Sequence, residues 1–222
     1  GPHLDLEGTV GTERNLGEAD LFVPLAQIAN TLPALQDGQA VAGSGSLTVR
    51  APSGKTATLV LPAAAISGAV GGPVVSMAAD SVLSGITVAG TSVLTTGHGI
   101  EVPGASGARI VRNVVTVETG DAIRVTGDAD YATISGNSIA APGSTGIFLQ
   151  DGNAEVTISD NVCGAIGFEL IAAGTTTGDP DSFTATLIGN ALVGPTGGPD
   201  RCLAFNSADR TIAFVDGVDC SF

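Results

Sequence analysis

The chain has 222 residues, the size of one domain, and sets 22 acidic side chains against 8 basic ones for a net charge of −14. That balance leaves no basic footprint for a nucleic-acid backbone or an anionic membrane, and the 43% apolar content excludes a disordered chain. No run of about 18 uncharged apolar residues is present, so no helix of this sequence spans a bilayer.

From the amino terminus, Gly1-Pro2-His3 shows neither a basic n-region nor an apolar h-region, so no secretory signal is read there. The start matches a remnant of tag removal, and the chain is expected to be a fragment of a longer precursor. Residues 1–45 form a segment of their own. Asp20-Leu-Phe-Val-Pro24 leads into Leu25, Ile28, Leu32 and Leu35, whose spacings of 3, 4 and 3 predict a short helix. Asp20 is its expected N-cap, and Pro33 interrupts it near its end. Its expected role is to cap whatever follows. The stretch from Leu4 to Gln27, Leu4-Asp-Leu-Glu-Gly-Thr-Val-Gly-Thr-Glu and onward, resembles the opening of inverse-autotransporter-like β-barrels of bacterial outer membranes, over 24 residues and with no barrel strands after it. This resemblance implies a bacterial exported protein of the cell surface. Gly43-Ser-Gly45 and Gly68-Ala-Val-Gly-Gly72 lack a following Lys-Ser/Thr, so neither reads as a phosphate cradle.

Beyond residue 46 an internal repeat takes over. Ala108-Arg-Ile-Val-Arg-Asn113, Ala132-Thr-Ile-Ser-Gly-Asn137, Val156-Thr-Ile-Ser-Asp-Asn161 and Ala185-Thr-Leu-Ile-Gly-Asn190 share one pattern, with asparagines 24, 24 and 29 residues apart. Val82-Leu-Ser-Gly85 is a worn earlier copy, and Ile212-Ala-Phe-Val-Asp-Gly217 a later one. A second strand recurs between them: Gly99-Ile-Glu-Val102, Ala122-Ile-Arg-Val125, Gly146-Ile-Phe-Leu149, Gly167-Phe-Glu-Leu170 and Cys202-Leu-Ala-Phe205. Each sets large apolar residues at i and i+2, the mark of a strand with one buried face. Units this small cannot bury an apolar face alone and must stack. Stacking in register predicts one ladder of Ile110, Ile134, Ile158, Leu187 and Phe214, and another of Ile100, Ile123, Ile147, Phe168 and Leu203. The asparagines are expected to hold left-handed backbone at a corner and to bond coil to coil through their amides.

On these repeats the chain resembles the right-handed parallel β-helix proteins, the pectate-lyase-like superfamily. The implied fold is all-β, a right-handed parallel β-helix solenoid over 46–222 with a short N-terminal capping segment over 1–45. Six to eight coils are expected. A sandwich of short strands would leave the common phase of the asparagines unexplained.

Function in such a fold sits on outward residues. The outward column of the second strand reads Glu101, Arg124, Phe148, Glu169 and Ala204. Two carboxylates, a guanidinium and an aromatic face suit a sugar ring, and Arg124 is placed to neutralise a uronate. The plainer reading is an ion pair between Glu101 and Arg124 on adjacent rungs, a contribution of about 0–1 kcal/mol. Lyases of the resembled superfamily use clustered aspartates for Ca²⁺ and an Arg or Lys base; no matching motif is found here. His98, between glycines, reads as a turn residue without a positioned partner, short of a triad or metal site. The acidic turns at Asp128/Asp130, Asp151, Asp179/Asp181 and Asp216/Asp219 are the only candidate Ca²⁺ ligands, so no cofactor is expected beyond that ion. An outward row of Arg109, Thr133, Thr157, Thr186 and Ala213 is a short threonine array. Of three cysteines, Cys202 and Cys220 could form a disulfide, while Cys163 reads as a small buried apolar residue.

The expected function is a non-catalytic extracellular or cell-surface module that displays, adheres or binds glycan, with no nucleic-acid partner. The alternatives are a lyase, hydrolase or epimerase on an acidic polysaccharide, and a tailspike-like fragment that would trimerise.

Overall fold

Short strands of alternating polarity cannot stand alone, and here they wind into stacked coils. The computed structural model describes residues 4–7, 21–24, 34–50, 53–68, 71–90, 97–141, 145–150, 155–166, 169–174, 185–192, 201–205 and 213–214, and their regular structure is strand throughout. Three parallel sheets run along the stack. The first has nine strands, among them Ala40–Ala42, Val82–Ser84, Arg109–Val111, Thr133–Ser135, Val156–Ser159 and Ala185–Ile188. The second has six, including Ala64–Gly68, Ile86–Gly90, Val114–Val117, Ser138–Ala141 and Val162–Ile166. The third, also of six, includes Val75–Ser76, Ile100–Pro103, Ile123–Thr126, Ile147–Gln150 and Glu169–Gly174. The parallel β-solenoid expected from the repeat is therefore present, each coil visiting the first, second and third sheet in turn.

The first predicted ladder is in register from end to end: Ile110 pairs with Ile134, Ile134 with Ile158, Ile158 with Leu187 and Leu187 with Phe214. The worn copy joins it, since Leu83 pairs with Ile110. Ile110, Ile134 and Ile158 are fully buried, each such side chain contributing about 1.5–3 kcal/mol of transfer free energy. In the second ladder Ile100, Ile123 and Ile147 align, but Ile147 pairs with Ile171 instead of Phe168. The reason is the period: Ile171 lies 24 residues past Ile147, matching the preceding step, whereas Phe168 falls three residues short. Phe168 lies outside the described residues.

The corner between first and second sheets explains the asparagines differently from expectation. The left-handed residue is the one before each asparagine, at Arg112, Gly136, Asp160 and Gly189, with φ of 55°, 64°, 55° and 59°, and the worn copy turns likewise at Gly85, φ 66°, ahead of Ile86. The asparagines themselves are fully buried connectors. Asn137 Oδ1 accepts from the Asn113 backbone N–H at 2.9 Å and from Asn113 Nδ2 at 3.1 Å. Asn137 Nδ2 in turn donates to Ile110 O at 3.0 Å and to Asn161 Oδ1 at 2.9 Å. Asn161 repeats the arrangement on Asn190. Both side-chain donors of Asn113, Asn137 and Asn161 meet acceptors of neighbouring coils, so these amides satisfy one another where burial keeps water out.

The amino-terminal expectations change. Within the predicted helix, Leu21–Pro24 is a strand, pairing in parallel with Ala40–Ala42 and with Leu4–Glu7. Phe22 and Val23 favour extended backbone, and the open edge of Ala40–Ala42 offers ladder bonds that a short exposed helix lacks. Asp20, Leu25, Ile28, Leu32 and Pro33 lie outside the described residues, while Leu35 is buried in the core. The first sheet is already running at Ala40–Ala42, before residue 46, and Gly45–Arg50 with Thr56–Leu61 form an antiparallel hairpin inserted at that coil's corner. Cys163 is buried as expected, and burial pushes its thiol up to about 12, which makes it unreactive. Cys220 lies outside the described residues, as do Asp151, Asp179, Asp181, Asp216 and Asp219.

Candidate functional site

The third sheet alternates in and out as its sequence demands. Ile100 and Val102, Ile123 and Val125, and Ile147 and Leu149 point into the core, which leaves Glu101, Arg124 and Phe148 outward in adjacent register. Three members of the predicted column are thus brought together. Glu169 is not: Phe148 pairs with Ala172, and Glu169 pairs with Arg201, one strand further on. The three-residue slip that replaced Phe168 by Ile171 also carries Glu169 out of the column.

Arg124 does not turn to Glu101. Its Nη1 donates to Asp121 Oδ2 at 2.8 Å, and its guanidinium lies over the Phe148 ring, 4.7 Å from the centroid. A buried carboxylate three residues away attracts the cation more strongly than a half-exposed one across the strand, because the local dielectric is lower. The guanidinium is already sandwiched between carboxylate and aromatic face, which weakens the reading of Arg124 as a free neutraliser of a uronate.

Asp121 also supplies the partner that His98 was expected to lack. His98 and Asp121 occupy equivalent places two residues before Ile100 and Ile123, and both are buried. The Asp121 backbone N–H donates to His98 Nδ1 at 3.0 Å, and the Asp121 carboxylate lies 3.6 Å from the same nitrogen. Glycines make this approach available. A Cβ on Gly99 would stand 2.6 Å from Ala122 O, and one on Gly120, at φ +80°, would stand 2.9 Å from Gly97 O. Burial pushes the His98 pKa below its usual value, against the opposing pull of Asp121, so the imidazole is neutral at pH 7. Two carboxylates, one guanidinium and a neutral imidazole leave the cluster with one negative charge.

Thr145 continues the column into the next coil and is buried as well. A signal for these residues exists in the sequence: His98-Gly-Ile100, Asp121-Ala-Ile123 and Thr145-Gly-Ile147 repeat one polar–small–Ile pattern in phase. Single-residue reading of His98 missed it. Among the described residues no group of three His, Cys, Asp or Glu side chains could hold a metal ion. The threonine row is in register, Arg109 with Thr133, Thr133 with Thr157 and Thr157 with Thr186, and beside it Ser159 Oγ donates to Ser135 Oγ at 3.0 Å.

Residues 71–179, which hold the whole cluster, match the family model described as the right-handed β-helix region. Comparison with curated proteins and with solved structures found no match.

Proposed function

We propose that this right-handed β-helix protein is a non-catalytic binding module of a bacterial exported or cell-surface protein, and that the third-sheet face of Glu101, Arg124 and Phe148 receives a neutral glycan. The observation that carries this reading is the commitment of the charged groups to one another. Arg124 is held by Asp121 and Phe148, and the Nδ1 lone pair of His98 faces a backbone N–H. A histidine oriented for general-base catalysis presents Nδ1–H to a carboxylate and leaves Nε2 free to take a proton. Here Nδ1 is the acceptor, so the neutral ring carries its proton on Nε2, and Asp121 locks two turns together instead of tuning a base. The residual negative charge disfavours an acidic sugar, whereas an aromatic platform edged by a guanidinium and a carboxylate suits hydroxyls and a ring face.

A carbohydrate-active enzyme is the second reading, because a buried neutral histidine beside an aspartate is also how catalytic sites begin. One experiment separates the two. A panel of neutral and acidic polysaccharides is followed for binding, reducing ends and unsaturated-uronate absorbance, with Arg124→Ala and Phe148→Ala beside the unaltered chain. Binding of a neutral glycan that weakens about tenfold in both variants, without turnover, is the expected result. Turnover that vanishes in His98→Asn would replace the module by the enzyme.

A further inference from the structure

A second polar site lies toward the amino-terminal coils, on the first sheet and its corner with the second. In the coil that begins at Ala40–Ala42, the corner carries the inserted hairpin where the next coil turns at Gly85 alone and the coils from Arg109–Val111 onward carry one left-handed residue and an asparagine. The insertion and the next corners enclose a groove of about 580 Å³, within the range of small-molecule sites. Its floor is the outward face of adjacent strands, Ala40 and Ala42 in register with Val82 and Ser84. Ser44 forms part of the hairpin wall, its N–H tied to Pro62 O at 2.8 Å. Among the described residues no carboxylate lines the groove, in a chain of net charge −14.

Arg112 is the single cation among the described residues of that lining. It occupies the left-handed corner position, where its counterparts are Gly85, Gly136, Asp160 and Gly189. Glycine enters that region freely and aspartate tolerates it, but a long side chain is strained there, and strain of this kind points to a use. Gly136 accommodates the stem of Arg112: a Cβ at that position would stand 3.3 Å from Arg112 Cγ. Among the described residues no carboxylate pairs with Arg112, in contrast to Arg124. An unpaired guanidinium fork matches a planar carboxylate, the serines offer hydroxyls, and the small flat floor accepts a ring face.

We propose that this groove binds a single carboxylate-bearing sugar unit, with Arg112 on the carboxylate and the ring lying on Ala40, Ala42 and Val82. The site is separate from the third-sheet cluster and stands or falls without it.

The test titrates methyl β-glucuronide, methyl β-glucoside and sodium acetate into the chain at fixed ionic strength, followed by amide chemical shifts. The glucuronide is expected to bind at least tenfold tighter than the glucoside and to shift amides of 40–46 and 82–85. Arg112→Gly should abolish that preference while keeping or raising the thermal midpoint, since glycine suits the corner. Equal affinity for the two glycosides, no binding of either, an unaltered Arg112→Gly variant, or acetate as effective as the glucuronide would each overturn the assignment.

Discussion

Two corners of the same coil hold buried polar columns, and they are built on opposite plans. Between first and second sheets, Asn113, Asn137, Asn161 and Asn190 are identical, and each amide gives its neighbour what it receives. Before the third sheet, His98, Asp121 and Thr145 are all different. An identical column closes on itself and does one thing, which is to hold register where the chain turns sharply. A mixed column leaves an imidazole, a carboxylate and a hydroxyl with unequal demands, and those demands reach outward: Asp121 meets them partly through Arg124, and Arg124 through Phe148. Buried polarity is structural when it is periodic, and it can serve recognition where it is not.

The largest expected effect breaks the identical column. Asn137→Ala strands the Asn113 N–H and side-chain amide and the Ile110 carbonyl without water to replace them, and should cost roughly 3–5 kcal/mol in denaturant unfolding. Asn137→Asp keeps an acceptor for Asn113 but turns a second acceptor on Asn161 Oδ1, so it should rescue only part of that loss. A loss below about 1 kcal/mol for the alanine variant would mean that the column is dispensable.

The mixed column should respond less. Asp121→Ala removes the partner of Arg124 and the carboxylate beside His98, and about 1–3 kcal/mol is expected, since the half-exposed guanidinium can turn to solvent. The same variant should weaken any glycan bound at Phe148 by releasing the guanidinium from the ring. Unchanged stability would place Asp121 outside the cluster's support.

The third prediction concerns pH. His98 binds its proton less tightly in the folded chain than at its ordinary value of 6.5, because burial disfavours the imidazolium. The unfolded chain therefore takes up more protons as the medium is acidified. The contribution of the neutral ring is fully present above pH 6.5 and is lost as pH falls from 6.5 toward the lower folded value. His98→Asn, which can keep an acceptor for the Asp121 N–H, should flatten that part of the stability–pH curve. The Asn column has no titrating member, so Asn137→Ala should lower the whole curve without changing its slope.

Much of the fold was legible. The recurring strand pattern predicted the first ladder through Phe214, the worn copy at Leu83 and the pairing of Ile100 with Ile123 and Ile147, although the steps vary in length. It failed where two candidates for a rung stood three residues apart: Phe168 had the better local pattern, and Ile171 the better spacing. Register in a solenoid is decided by the coil below, so spacing won, and Glu169 left the site with it. The helix expected after Asp20 failed at Leu21–Pro24 because a 3,4-spaced apolar stripe does not report a strand edge waiting beside it.

By itself the sequence determined the all-β repeat, the inward aliphatic columns and the presence of a buried asparagine ladder, because each depends on residues a fixed period apart meeting their own kind. Only the tertiary structure decided which charge goes to which. Arg124 could reach Glu101 across the strand or Asp121 along it, and the buried carboxylate won because the medium around it screens less. It likewise assigned the left-handed corner to the residue before each asparagine, since only the folded coil shows which of two neighbours turns the chain and which one fills the space behind it.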